Sequence, residues 1–159
     1  MSTAPEYLSL LNPKQLEAVE SIQGPNLVLA GAGTGKTRVL TTRVAYILDQ
    51  NVAQPSQILC VTFTNKAARE MAERVQKLIP NRFDRMPWMG TFHSLGAKII
   101  RNHAEAIGLK SSFTILDKDD QVALIKQILK SEGLDQSQIS PKYVQSKIDN
   151  WKNKALNPN

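Results

Sequence analysis

The chain has 159 residues, 42% of them hydrophobic and 6% aromatic, with one cysteine, two histidines and a net charge of +6. This is material for one ordinary core, or for one domain and part of a second. It excludes a disulfide framework, leaves too few soft ligands for a zinc centre, and offers no apolar run near the length of a membrane span, which together point to a reducing, cytoplasmic setting.

The positive charge is unevenly placed. Residues 1–116 hold 13 Lys/Arg against 8 Asp/Glu, whereas residues 117–159 hold 7 against 6. An excess of cations in the first part fits a polyanionic partner such as nucleic acid.

In chain order, residues 1–11 read as a short, partly frayed lead-in. Asn12-Pro13-Lys14-Gln15 then carries several helix-start signals at once. Asn12 can cap, Pro13 suits the first helical position, and Gln15 stands where a capping-box glutamine reaches back. Leu16 and Val19 supply an apolar side. A side-chain amide can also pair with a donor and an acceptor on a base edge, so Gln15 is either an adenine reader or a capping partner alone. Gly24-Pro25 turns the chain into the apolar run Leu27-Val28-Leu29, expected to be a strand.

After that run comes Ala30-Gly31-Ala32-Gly33-Thr34-Gly35-Lys36-Thr37, and after it a segment with helical spacing through Val39, Leu40, Val44, Ile47 and Leu48. Strand, glycine-rich loop and helix is the setting of a phosphate-binding loop. Glycines let successive N–H groups turn inward, and the helix start adds free N–H groups and the positive end of its dipole. Lys36 is then expected to reach the β- and γ-phosphates, and the Thr37 hydroxyl to complete a Mg²⁺ shell. Ala30 stands where the general pattern has glycine, which is tolerable if its φ stays negative. The competing reading is a glycine turn that happens to precede Lys-Thr.

A second apolar strand is expected over residues 58–63, followed by a helix capped by Thr64 or Asn65. That helix carries the stripe Ala68, Met71, Val75 and Leu78, and Pro80 stops it. A connector with Arg82 and Arg85 leads to a third short strand over residues 88–92 and a helix from about His93, with Gly108 as its C-terminal cap. Repetition of strand, loop and helix marks a parallel, doubly wound α/β sheet with ligands at the carboxyl ends of its strands. Phe63, Thr64, Asn65, Thr91, Phe92 and His93 are therefore expected on one edge with the phosphate loop. A ring, small hydroxyls and an amide on a basic rim suit single-stranded nucleic acid. Against this, a strand-end Phe is commonly core, and His93 can be a simple helix-start residue.

Four stretches in order resemble the motifs of superfamily 1 helicases of the UvrD/PcrA/Rep group, over residues 10–101. Leu11-Asn12-Pro13-Lys14-Gln15-Leu16-Glu17-Ala18-Val19 resembles the glutamine motif, and Ala30–Thr37 with Arg38-Val39-Leu40 the first motif. Residues from Val61 to Met71 resemble motif Ia, and Gly90-Thr91-Phe92-His93-Ser94-Leu95 motif Ib. The resemblance implies a P-loop, RecA-like α/β motor that uses ATP and Mg²⁺ to move 3′ to 5′ on single-stranded DNA and to open duplex junctions, in repair or replication and with proteins of those processes. It implies that Gln15 reads adenine, that Ala30, Gly31, Ala32, Gly33, Thr34, Gly35, Lys36 and Thr37 hold phosphate and metal, and that Arg38 lies near the nucleotide. Phe63, Thr64, Asn65 and His93 are implied to touch DNA.

The remainder reads as helical. Asp117 caps a helix with Val122, Leu124, Ile125, Ile128 and Leu129, closed by Gly133, and Ser140-Pro141 opens another with Val144, Ile148 and Trp151. Asp119-Asp120 reads as helix-start charge rather than a metal pair, because no apolar strand precedes it. By the resemblance, residues 1–112 are the first part of motor domain 1A, with an incomplete sheet, and residues 113–159 begin a helical insertion, subdomain 1B. The family's apolar strand ending in Asp-Glu matches nothing in these residues. The chain by itself is therefore expected to bind nucleotide with little hydrolysis; a stand-alone nucleotide- or DNA-binding module, or an NTPase completed by another chain's acid, are the alternatives.

Overall fold

The structure is a computed structural model and describes residues 5–135 and 137–156. Among them are six α-helices and a two-stranded parallel sheet, an α/β architecture. The chain divides into two compact units between Ser111 and Ser112.

In the first unit, helix α1 (Pro13–Glu20) begins with the reciprocal cap that its sequence encodes. The Gln15 backbone N–H donates to Asn12 Oδ1 at 2.9 Å, and the Asn12 N–H donates to Gln15 Oε1 at 3.0 Å. Two otherwise orphaned helix-start donors are thereby satisfied. The lead-in is not frayed over its described part. Glu6–Leu8 forms a 3₁₀ turn, and Leu8 is buried with Val19 and Val39 in a small cluster. The short helix α1 has too little apolar surface of its own, and Leu8 closes the side it leaves open.

Helix α2 (Lys36–Asp49) follows the glycine loop and faces two ways. Val39 joins the cluster with α1, while Val44, Ala45 and Leu48 enter the main core with Cys60, Met71, Val75, Ile79 and Met86. The Arg43 guanidinium donates to the Ala18 carbonyl at the end of α1, fixing the two helices by a second kind of contact. Helix α3 (Asn65–Leu78) packs on α2 through Met71 and Val75, with Thr64 Oγ1 accepting from the Ala67 N–H at 3.1 Å as its cap.

Strands β1 (Cys60–Thr62) and β2 (Met89–Thr91) pair in parallel, with Cys60 opposite Met89 and Thr62 opposite Thr91. Helix α4 (Phe92–Asn102) leaves β2 directly, capped by Thr91 with Ser94 bonding back. The crossing is close: a Cβ at Gly90 would lie 2.7 Å from Ser94 Oγ and 3.3 Å from Leu95 Cγ, so any larger residue would have to displace the Ser94 hydroxyl from its cap. Lys98 ties the same corner, donating to the Pro87 carbonyl at 2.6 Å and lying over the Trp88 ring at 4.6 Å.

Two further sequence expectations need correction. Leu27-Val28-Leu29 belongs to no strand among the described residues, and Leu27 and Leu29 are 84% and 87% exposed. An apolar run registers the tendency to be buried, but a strand also needs a neighbour to complete its ladder. Here β1 and β2 pair with each other, and the run is hydrogen-bonded to the outer edge of neither. Gly108 does not cap α4, which ends at Asn102; with φ +70° it closes a separate 3₁₀ turn, Ala104–Ile107.

The second unit is a helical pair, α5 (Lys118–Ser131) and α6 (Pro141–Asn153). Asp117 Oδ1 accepts from the Asp120 N–H at 2.8 Å, and Gly133 takes a left-handed φ of +67° just past α5. Asp119 and Asp120 lie in the first turn, favoured by the helix dipole. Gln145 Nε2 donates to Asp149 Oδ2 and Gln121 Oε1, linking α6 to α5. Among the described residues of both helices, Leu129 alone is buried. No described helix is long and apolar enough to cross a membrane.

Two stability outcomes follow. Val75 is fully buried where α3 meets α2, so Val75→Ala should cost about 2 kcal/mol, read as a lower urea midpoint at unchanged slope. Unaltered stability would mean that α3 does not hold the core.

The second concerns Tyr7, whose hydroxyl donates to Asp49 Oδ2 at 3.0 Å while Arg82 donates to the Asp49 carbonyl at 2.8 Å. Partial burial, then the hydrogen bond and charge of Asp49, hold the Tyr7 proton well above the ordinary tyrosine range. The unfolded chain releases that proton near pH 10 while the folded chain keeps it, so this contribution is intact below about pH 10 and is lost above it. Tyr7→Phe should lose about 1 kcal/mol at neutral pH. The difference from the parent chain should shrink as pH rises past 10 in thermal melts; a constant difference would refute the linkage.

Candidate functional site

The loop before α2 is built by two left-handed glycines. Gly33 has φ +75° and Gly35 φ +87°, conformations that residues with a Cβ rarely adopt, and Gly35 is the residue at which α2 starts. Ala30 does not take a positive φ, so alanine costs nothing at the loop's first position. At the far end, the Val39 N–H is the first in α2 to find a helical carbonyl, on Gly35 at 3.0 Å. The N–H groups of Lys36, Thr37 and Arg38 are thus left for other acceptors, at the positive end of a 14-residue helix.

Side chains complete the loop. Lys36 Nζ donates to the Ala30 carbonyl at 3.0 Å and the Gly31 carbonyl at 2.6 Å, and Thr34 Oγ1 also donates to Gly31 O, at 2.8 Å. The ammonium group therefore satisfies the loop's own carbonyls, with one of its three protons still free. Thr37 is exposed, and its hydroxyl makes no hydrogen bond among the described residues. Such a loop can accept an anion by exchanging neutral carbonyl partners of Lys36 for charged oxygens, which bind it more strongly.

Gln15 holds this loop from the side. Its Nε2 donates to the Thr34 carbonyl at 3.0 Å while its Oε1 is engaged by Asn12. One N–H and one lone pair of the amide remain, so capping and base reading do not exclude each other. A Cβ at Gly35 would lie 3.0 Å from Gln15 Nε2 and 3.9 Å from the Arg38 Cβ, which brings Gln15, Gly35 and Arg38 together.

The other named residues lie at the end of the sheet. Because Thr62 pairs with Thr91 in parallel, Phe63-Thr64-Asn65 and Phe92-His93 leave the same sheet end. Phe63 is 94% exposed and Phe92 67%, so neither ring is core; Asn65 and His93 are exposed as well. Thr64 is occupied as the α3 cap, and the Thr62 hydroxyl donates to its carbonyl at 3.0 Å. The sheet does not bring the phosphate loop to this end by pairing, since the run before the loop joins no ladder.

Sequence reasoning passed over a cavity of about 450 Å³ on the other side of Arg38, whose walls include Tyr7, Leu10, Arg74 and Lys77. The signal was present as two cations three residues apart on α3, but nothing local says that they face Arg38. Cys60, by contrast, is buried with its thiol pushed up by desolvation, an inert core group. No cluster of metal-ligating side chains occurs among the described residues.

Residues 11–159 match the family described as the UvrD/REP helicase N-terminal domain. The chain is 48% identical over 151 residues to the ATP-dependent DNA helicase PcrA of Staphylococcus aureus, covering 95% of this chain and 20% of that protein. It is 49% identical over 155 residues to a probable DNA helicase II homolog of Rickettsia conorii, covering 96% of this chain and 23% of the relative. The chain thus spans about a fifth of the length of the curated relatives that it matches. From the match over residues 11–159 and the identity across almost all of its length, the chain belongs to the UvrD/REP helicase N-terminal domain family.

Proposed function

We propose that this chain is the nucleotide-binding N-terminal part of an ATP-dependent DNA helicase that moves 3′ to 5′ on single-stranded DNA and opens duplex junctions, in repair or replication. The observation that carries the reading is the loop itself: left-handed glycines, free N–H groups at the head of α2, and Lys36 folded onto neutral carbonyls that a phosphate can replace. The names of the relatives, an ATP-dependent DNA helicase and a probable DNA helicase II homolog, supply the substrate class.

On this reading the first unit is the beginning of a RecA-like P-loop motor domain, 1A, and residues 113–159 begin the helical subdomain 1B. Residues Ala30 to Gly35 enclose the phosphates with backbone N–H groups, and Lys36 turns from the Ala30 and Gly31 carbonyls to the β- and γ-phosphates. Gln15 presents its remaining donor and acceptor to the adenine edge while still holding Thr34, and Arg38 lies beside the nucleotide. The chemistry of the donor set fits Mg²⁺ through the unengaged Thr37 hydroxyl, where the ion would neutralise phosphate charge. Phe63 and Phe92 offer rings for bases to stack on, with Thr64, Asn65 and His93 at the backbone.

These residues can bind and position a nucleoside triphosphate, but they include no carboxylate to orient an attacking water. Binding without efficient turnover is therefore the expected behaviour of these 159 residues. Titration with ATP and Mg²⁺ should show binding that Lys36→Ala weakens by at least tenfold, because a charge-assisted contact is removed. Turnover with or without single-stranded oligonucleotide should stay at the level of that variant. Equal ATP affinity in both proteins would refute the phosphate-loop reading, and oligonucleotide-stimulated turnover lost in the variant would show that an acid is supplied elsewhere.

For DNA, Phe63→Ala should weaken binding of an oligothymidylate by about 1 kcal/mol or more at fixed salt, measured by fluorescence anisotropy. An unchanged affinity would remove Phe63 from the interface.

A further inference from the structure

We propose that Arg43, through the Ala18 carbonyl, is a positioning residue for Gln15 and so sets how well the nucleotide site tells adenine from another base. The inference rests on the nucleotide reading above and adds to it a residue of α2 outside the phosphate loop.

Helix α1 ends with one acceptor left open. The Ser21 N–H closes on the Glu17 carbonyl at 3.0 Å, but the next donor, the Ile22 N–H, turns to the Glu20 carbonyl at 2.8 Å. The backbone therefore skips the Ala18 carbonyl, and Arg43 Nη1 donates to it instead. A cation at the end of a helix is favoured by the dipole, and a half-buried carbonyl without a donor is costly. Arg43 forms no ion pair with a carboxylate among the described residues. A half-buried guanidinium on a neutral carbonyl adds little stability for the charge it desolvates. What it adds is direction.

The two helices show why direction matters here. Gln15 and Ala18 are three residues apart and share a face of α1, roughly 4.5 Å apart along its axis. On α2, Arg43 follows Lys36 by seven residues, two turns on one face, and both line a groove with Ala18 and Val28. Packing of Val19 with Leu8 and Val39 presses α1 on α2, but apolar contact is non-directional and permits α1 to turn or slide. Gln15 Nε2 on the Thr34 carbonyl is one directional tie, near the start of α1. Arg43 on the Ala18 carbonyl is a second, one turn further on. A helix tied at one point can swing about it. Tied at two, it keeps the free donor and acceptor of the Gln15 amide at one angle to the loop.

The test is calorimetric titration of the whole chain with ATP, ITP and inorganic tripolyphosphate, each with Mg²⁺. Inosine lacks the amino donor of adenine, so the ratio of ATP to ITP affinity reports reading by the amide, and tripolyphosphate reports the loop. Arg43→Met keeps the apolar stem and removes the donor. It should lower the ratio about fivefold, the size of one coupled hydrogen bond, and leave tripolyphosphate within about twofold. Arg43→Lys keeps a donor for Ala18 and should hold the ratio within about twofold of the parent chain. With Gln15→Ala already in place, Arg43→Met should change the ratio no further. Circular dichroism melts establish that each variant folds; where Arg43→Met does not, Arg43→Gln, too short for the carbonyl, carries the same expectation. Equal weakening of all three ligands would make Arg43 a merely structural residue and overturn the proposal. So would an unchanged ratio in Arg43→Met beside a lowered one in Gln15→Ala, and in that case only this inference fails. If the parent chain does not distinguish ATP from ITP, the adenine reading of Gln15 falls and this falls with it.

Discussion

The double burial of α2 is the constraint on which the first unit depends. One helix shares Val39 with α1 and Leu8, and one turn further gives Val44, Ala45 and Leu48 to α3, β1 and Met86. A helix clamped from two sides cannot rotate about its axis without exposing one set or the other, and close-packed interiors resist such shifts. Its first residue therefore has a fixed place, and so have the N–H groups of Lys36, Thr37 and Arg38. A loop that must present backbone donors to a ligand gains precision from the rigid element behind it rather than from its own few contacts.

The polar contacts around the loop follow from that placement. Gln15 can reach Thr34 because α1 is packed against α2 and because the Asn12 cap holds the amide by its oxygen. The same side chain is thus both a helix cap and a strut, and the loop's shape is coupled to the stability of α1. Lys36 closes the ring by donating to the Ala30 and Gly31 carbonyls. The Lys36 ammonium is thus held by the loop's own carbonyls, while the N–H groups of Lys36, Thr37 and Arg38 keep no helical partner.

How much of this was legible depends on the distance over which each signal acts. Local chemistry was readable: the Asn12–Gln15 cap, the Thr64 and Asp117 caps, Gly33 and Gly35, and the apolar stripe of α3 all appear where their residues demand. The α/β class was readable for the same reason, from alternating short apolar runs and helical periods. Leu27-Val28-Leu29 was misread because a ladder partner is a property of another segment, and no local pattern reports whether one is present. Gly90 was read only as part of a motif, whereas its structural reason, the 2.7 Å approach of Ser94, exists only once α4 folds back on β2. The convergence of Arg38 with Arg74 and Lys77 was invisible for a like reason, since residues 36 positions apart meet through helix packing.

The exposed residues deserve the same physical treatment as the buried ones. Soluble proteins leave single apolar side chains in water without consequence, so Leu10 or Val52 alone asks for no explanation. Leu27 and Leu29 are different, because they flank Val28 in one apolar run, and Val28 lines a groove with Ala18 and Val39 while they are 84% and 87% exposed. Val28 itself is 49% exposed, and the backbone of the run joins no ladder. An apolar run with unpaired backbone groups is a segment that can pair with a strand edge, and it costs solubility unless it is covered. Phe63 is bare in another setting: it follows β1 at the strand end, beside the α3 cap formed by Thr64 and Ala67. Exposure at Leu27 and Leu29 thus comes from a run without a ladder, and exposure at Phe63 from a position at the end of a strand.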